Sequence, residues 1–202
     1  MMRLFPGSFS QSGQESFVLN MLDSQKNGFY VEIGAYHSTD LSNTYVLESQ
    51  YDWRGLAFEI DRKKSKEYNG NRKNKCITAD ATKFDYLQCF NESKVPSVIE
   101  YLQVDIEPAF QSLAALKRIP FDAYQFKVIT FEHDLYSDQK NNLIQQESHE
   151  FLESFGYQRV VKNVSSNGFP YEDWYIKPEL INQDILLEKL SSDVEWSVNF
   201  SI

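Results

Sequence analysis

Cysteine is scarce: two residues, Cys76 and Cys89, in 202. They form no Cys-x-x-Cys pair and join no histidine cluster, so neither a disulfide framework nor a metal knuckle is expected, and the metal-site expectation is none. Cys76 sits in an apolar strand pattern and reads as a buried free thiol. So low a cysteine content suits a reducing, cytoplasmic setting. Long apolar runs are missing too. No uninterrupted stretch of about 18 apolar residues exists to cross a bilayer, and Met1-Met2-Arg3-Leu4-Phe5-Pro6 carries no cleavable leader pattern, so no membrane partner is expected. Positive charge is short. Twenty Lys and Arg against 29 Asp and Glu leave a net charge of −9, which repels phosphate backbones and disfavours nucleic acid as a partner. The one basic stretch, Arg62-Lys63-Lys64 with Arg72-Lys73 and Lys75, reads as a solvated helix face and loop. Eight Gly and six Pro are scattered and mark no linker. One domain over 1–202 is expected, with a core at about 9–179 and a C-terminal extension over 180–202.

Aromatic residues are plentiful: twelve Tyr, fifteen Phe and three Trp. They fill a core or stack on a planar ligand ring. Apolar β-rich runs alternate with helix-like stretches along the whole chain, the pattern of an α/β fold around a mainly parallel sheet. Strands are expected over 29–33, 55–60, 75–79, 98–105 and 126–132, with a closing hairpin over 157–162 and 172–176. Helices are expected over 12–24, 42–48, from 61 to 68, over 108–118 and over 142–155, the last ended by Gly156.

In such a sheet, ligands bind at the carboxyl ends of the strands. Five stretches place glycine or polar residues there. After the first strand comes Glu32-Ile33-Gly34-Ala35, where Gly34 allows a sharp turn and Glu32 offers an acceptor. Glu59 ends the second strand, 25 residues after Gly34. A carboxylate there accepts both hydroxyls of a ribose. The Gly-x-Gly-x-x-Gly fingerprint is absent, so a nucleoside without a pyrophosphate fits better than NAD. Asp80-Ala81 follows the third strand, where the carboxylate accepts from the exocyclic amine of a base or simply caps a turn. Asp105-Ile106-Glu107 follows the fourth, two carboxylates placed for acid–base work or for the start of a helix. Glu132-His133 follows the fifth, where His133 accepts a proton near neutral pH. His149, mid-helix between Glu147 and Glu150, reads as solvated.

The ordered set resembles the FkbM-type methyltransferases, a branch of the S-adenosylmethionine (SAM)-dependent enzymes. The stretches that carry it are Ser10-Gln11-Ser12-Gly13-Gln14-Glu15, the loop from Gly28 to Ser38, Ser42-Asn43-Thr44-Tyr45, Trp53-Arg54-Gly55-Leu56, Asp105-Ile106-Glu107, the strand ending in Glu132-His133, and Glu172-Asp173-Trp174-Tyr175. The resemblance spans about residues 9 to 179. It implies a Rossmann-like class I fold with a mainly parallel seven-stranded sheet flanked by helices. It also implies transfer of a methyl from SAM to a hydroxyl of a sugar or other small molecule. Glu32, Gly34 and Ala35 would contact the methionine part, Glu59 the ribose, and Asp80 and Ala81 the adenine. Asp105 would lie near the sulfonium, and Gln14 and Asn43 would line the same pocket. The base candidates, in order, are His133, Asp105 and Glu107. Acceptor-pocket walls are expected from segments 84–95, 136–142 and 165–170. The chain departs from the family pattern in three places. Glu32 stands for Asp, His37-Ser38 for Asp-Gly, and Pro108 for the Gly after Glu107. The altered loop keeps open a non-catalytic SAM-binding or partner-binding homologue. An NAD-dependent oxidoreductase is the other alternative. Oligomeric state is not legible, and Trp196 and Phe200 are expected to cover the core or dock a neighbour.

Overall fold

β-Branched and aromatic residues cluster where the strands form. In the computed structural model, which describes residues 8–138, 140–189 and 199–200, five parallel strands follow in turn: β1 (Phe29–Ile33), β2 (Arg54–Glu59), β3 (Lys75–Thr78), β4 (Val98–Val104) and β5 (Gln125–Glu132). β6 (Gln158–Ser166) and β7 (Phe169–Ile176) form a hairpin across Asn167-Gly168. Both turn residues take positive φ, 52° and 84°, as a tight hairpin turn of matching twist requires. β7 inserts antiparallel between β5 and β6, giving the order β3-β2-β1-β4-β5-β7-β6, the expected seven-stranded, mainly parallel sheet. A two-residue strand, β8 (Asn199–Phe200), pairs with β6 at that edge. Trp196 lies outside the described residues.

Both faces of the sheet are covered, which is why the central strands are apolar almost throughout. On one face α4 (Tyr86–Glu92), α5 (Ala109–Leu116) and α6 (Asn141–Ser154) press Phe90, Leu113 and Leu152 onto Val31, Leu102 and Phe131. On the other, α1 (Gln14–Met21), α2 (Tyr45–Tyr51) and α7 (Gln183–Lys189) meet Tyr30, Tyr101 and Trp174, with Phe17 stacked on Trp174 at 4.6 Å. α3 (Arg62–Asn71) packs beside β2 and β3. Among the described residues no helix is long and apolar enough to cross a membrane.

α4 lies inside the segment expected as a pocket wall. Asp85 caps it, accepting from the Gln88 N–H at 3.0 Å, and Tyr86 and Phe90, one turn apart, are buried in the core. That segment is packing rather than acceptor pocket.

Candidate active site

β1 lies between β2 and β4, so chain direction along the sheet reverses there, and the crevice at such a switch point is where open α/β sheets bind ligands. A cavity of about 440 Å³ opens at this place. Gly34 starts its floor. Its φ of +85° is left-handed, its N–H donates to Phe58 O at 2.9 Å, and a Cβ would overlap the Asp105 carbonyl oxygen. Glycine is therefore dictated by contact between strand ends. Ala35 follows and bonds the same Phe58 carbonyl at 3.1 Å. The loop beyond does without a glycine at Ser38. The left-handed residue is Tyr36 (φ 45°), while Ser38 is buried and fixed through its carbonyl by Arg72 at 2.8 Å.

Glu59 is positioned by main chain. One carboxylate oxygen accepts from Tyr36 N–H at 2.9 Å, the other from Asp61 N–H at 2.8 Å. Each oxygen keeps a lone pair for the cavity. Asp80 and Ala81 line the cavity past β3. Asp80 also serves its own turn, accepting from Thr82 N–H and hydroxyl at 3.0 and 2.6 Å and pairing with Lys83 at 2.8 Å, and the Lys83 ammonium and Thr82 hydroxyl hold its carboxyl down at about 2. Across the mouth, the Lys64 ammonium stands 3.5 Å from the centre of the Tyr36 ring.

On the floor, Glu32 is buried and accepts from the Thr44 hydroxyl at 2.8 Å and the Tyr68 hydroxyl at 3.3 Å. Burial pushes its carboxyl up to about 7, against the pull of Arg72. Arg72 is the surprise of this region. It was expected on a solvated face, yet its side chain is fully buried. It pairs with Glu48 at 3.0 Å and donates to Ser38 O, Thr44 Oγ1 and Tyr30 Oη. A guanidinium so enclosed needs most of its five donors satisfied, and these partners satisfy them. Asn43 lines the same cavity, and its Oδ1 is buried without a hydrogen-bond partner. Gln14 reaches the cavity as well, while its amide anchors α1 to Tyr171 Oη at 3.2 Å and to Glu172 at 2.9 Å.

At the ends of β4 and β5 the Asp105 and Glu132 carboxyls share a hydrogen bond. Burial pushes both up, and the neighbouring charges of Asp134 and Glu107 add to the shift of Asp105. Glu132 rises well above the usual carboxylate range, so the pair holds a proton between its two carboxyls. Glu107 stands exposed at the junction with a second chamber of about 380 Å³. The two spaces have Gln11, Glu107, Glu132 and Tyr171 in common, and Tyr136 and Phe169 wall the outer one. Segments 136–142 and 165–170 thus reach this space through Tyr136, Ser166, Asn167 and Phe169. Among the described residues no three His, Cys, Asp or Glu side chains are grouped to hold a metal.

The sequence-derived site residues other than His133 line the inner cavity. The His133 ring is fully buried away from it. Its Nδ1 accepts from Leu135 N–H at 3.2 Å, and its Nε2 lies 3.3 Å from Asp173 Oδ1 and 3.2 Å from the Gln145 amide of α6. Successive residues of an extended strand face opposite ways, so Glu132 and His133 cannot both address the cavity. His133 as the foremost base is corrected on this ground. His149 is also not simply solvated; it is half-buried with its ring 6.0 Å from Tyr175. Glu132, Gln11 and Tyr171 are among the lining residues beyond the expected site, together with Tyr36, Lys64 and Gln111.

No family model matches the sequence, and no curated protein matches it. Solved structures do match by shape. An O-methyltransferase from Bacillus cereus in complex with SAH superposes with a TM-score of 0.57 at 16% identity, covering 86% of this chain and 84% of that one. The N-methyltransferase NodS from Bradyrhizobium japonicum WM9, also in complex with S-adenosyl-L-homocysteine, gives 0.53 at 12%, covering 87% and 91%. A methyltransferase from Pyrococcus furiosus gives 0.52 at 12%, covering 87% and 88%. At such identities the likeness is one of fold, and the fold of this chain is the Rossmann-like methyltransferase fold.

Proposed function

We propose that the chain is a SAM-dependent methyltransferase of the FkbM type that methylates a hydroxyl on a sugar or other small molecule. The observation that carries this reading is the cavity at the carboxyl ends of β1 to β4, with Glu59 held open by two main-chain donors inside a fold shared with methyltransferases. The residues present fit SAM. Glu59 has lone pairs for a vicinal diol, and the unpartnered Asn43 Oδ1 awaits a donor such as an ammonium. Glu32, Gly34, Ala35 and Gln14 surround the same end, and Asp80 and Ala81 the base end. A nicotinamide dinucleotide fits less well. The turn after β1 holds one glycine, and that glycine answers to the Asp105 carbonyl rather than to a pyrophosphate.

When bound, SAM supplies a methyl group made electrophilic by a sulfonium. The chain's own contribution is to position and to manage one proton. Glu59 and Asn43 orient the two ends of the ligand. Asp105, which lines the cavity and shares a proton with Glu132, is the group placed to take the proton of the acceptor hydroxyl. Glu107 stands at the entrance from the outer chamber. The protein is read as acting in the cytoplasm on a small-molecule or glycan acceptor, without nucleic acid or membrane.

Calorimetry tests the reading. Heat is expected with SAH and none with NAD, and Glu59→Ala should weaken SAH by about tenfold or more, the worth of a lost charge-assisted hydrogen bond. Silence with SAH sinks the proposal. SAH binding without methyl transfer from labelled SAM, across sugar and polyol acceptors, would mark the non-catalytic homologue instead.

A further inference from the structure

The outer chamber has a chemistry of its own. Its walls carry the carboxyls of Glu107 and Glu132, the rings of Tyr136, Phe169 and Tyr171, and the amide of Gln11, and none of its lining residues is Lys, Arg or His. No ion pair among the described residues involves Asp105, Glu107 or Glu132; the acidic groups that are paired lie elsewhere, on Arg72, Lys83, Lys117, Lys127, Arg159 and Lys177. Tyr136 and Phe169 leave 50% and 59% of their surface exposed, with ring centres 6.0 Å apart and planes at 62°. Two half-exposed aromatic rings in edge contact, beside an unpaired carboxylate, are a poor place for an anion. They give a neutral polyol no electrostatic gain. They suit a cation, which the ring quadrupoles and the carboxylate attract together.

We infer that the acceptor carries an ammonium group, seated in the outer chamber against the exposed surfaces of Tyr136 and Phe169 and near the Glu107 carboxylate, with its hydroxyl toward Asp105. The inference rests on the methyltransferase reading for calling this ligand an acceptor, and on the chamber's lining for its charge. Amino sugars and amino alcohols belong to the class; phosphorylated and carboxylated acceptors do not.

Three probes of one shape separate charge from shape: cyclohexylamine, cyclohexanol and cyclohexanecarboxylate, titrated into the full chain without SAM and followed by ligand-observed NMR. Cyclohexylamine should bind about tenfold more tightly than cyclohexanol, as a partly desolvated cation on aromatic faces does, and the carboxylate should not bind measurably. Glu107→Gln should reduce the amine preference to within about threefold. Phe169→Leu, which keeps apolar bulk and removes the ring, should weaken the amine more than the alcohol. Both positions are exposed, and unchanged melting curves will establish that the variants fold. Equal binding of amine and alcohol, or an amine preference that survives both variants, overturns the inference. SAH binding without amine preference overturns it alone; amine preference without SAH binding overturns the methyltransferase reading alone.

Discussion

Replacing Gly34 by alanine probes the joint on which the site is built. The backbone there has φ +85°, a conformation that costs an L-residue with a Cβ about 1–2 kcal/mol. The added methyl would also overlap the Asp105 carbonyl oxygen and stand 2.8 Å from its carbon. That carbonyl is main chain and cannot swing aside cheaply, because Asp105 N–H is bonded to Ile33 O at 2.9 Å and β1 and β4 are paired up to Ile33 and Val104. Overpacking of this kind adds about 1–3 kcal/mol. The total, about 2–5 kcal/mol, is a large part of the 5–15 kcal/mol that holds an ordinary domain. With a urea slope of about 2 kcal/mol/M, the midpoint should fall by about 1 M or more. Gly70→Ala is the control. It lies in α3 with nothing within 4 Å of its would-be Cβ, so it should gain about 0.5–1 kcal/mol. A Gly34→Ala variant as stable as wild type would refute the claim that contact between strand ends fixes this glycine.

Stability should also depend on pH in an unusual sense. Burial pushes Glu172 up to about 8 and Glu32 up to about 7, above their ordinary 4.5. A raised folded value means the native state holds the proton more tightly, so this contribution is complete below about pH 4.5 and is lost as pH climbs through 7 and 8. Urea midpoints should therefore fall between pH 5 and pH 9, and Glu172→Gln, which keeps an acceptor for Gln14 and Trp174, should flatten that fall; an unchanged slope would show that Glu172 is ionised throughout. Arg72→Met should cost about 3–5 kcal/mol in chemical denaturation, because it strands Glu48 and the Ser38 carbonyl in a buried setting; a loss under 1 kcal/mol would contradict the network. With a methyl acceptor in hand, Asp105→Asn should lower kcat by about 10²–10⁴, while His133→Gln should leave kcat within a few-fold; the reverse ranking would restore His133 as the base.

How much of this could be read beforehand follows from what is local. Strands and their order of appearance were legible because apolar runs such as Val98–Val104 stand out between polar stretches. The closing hairpin carried its own Asn167-Gly168 signal. α4 was missed although its signs were present: Asp85 as cap, then Tyr86 and Phe90 four apart. The choice between Glu132 and His133 was also open to local reasoning. Ile129 and Phe131 belong to the core face covered by α6, and His133 continues that alternation, which leaves Glu132 for the other side. Arg72 was not legible. Nothing in Asn71-Arg72-Lys73 separates a buried arginine from its solvated neighbour, since its partners Glu48, Thr44, Ser38 and Tyr30 come from distant parts of the chain. The same holds for Glu172, whose partner Gln14 is 158 residues away.

The carboxylates around the cavity look alike in sequence and are set apart by their partners. Asp80 is tied to Lys83 and Thr82 and stays ionised down to about 2. Glu59 receives a main-chain N–H on each oxygen, a geometry that serves an acceptor of hydroxyls. Asp105 and Glu132 have each other and no cation, and burial makes them hold one proton between them. Pairs of groups whose surroundings push their affinities for the proton apart mark the place where acid–base work is done. On the proposed methyltransferase reading, the Glu59 end of the cavity would bind the cofactor and the Asp105–Glu132 pair at the junction with the outer chamber would handle the proton. On the same reading, the exposed carboxyl of Glu107 beside that junction would make the choice of acceptor a matter of charge as well as shape.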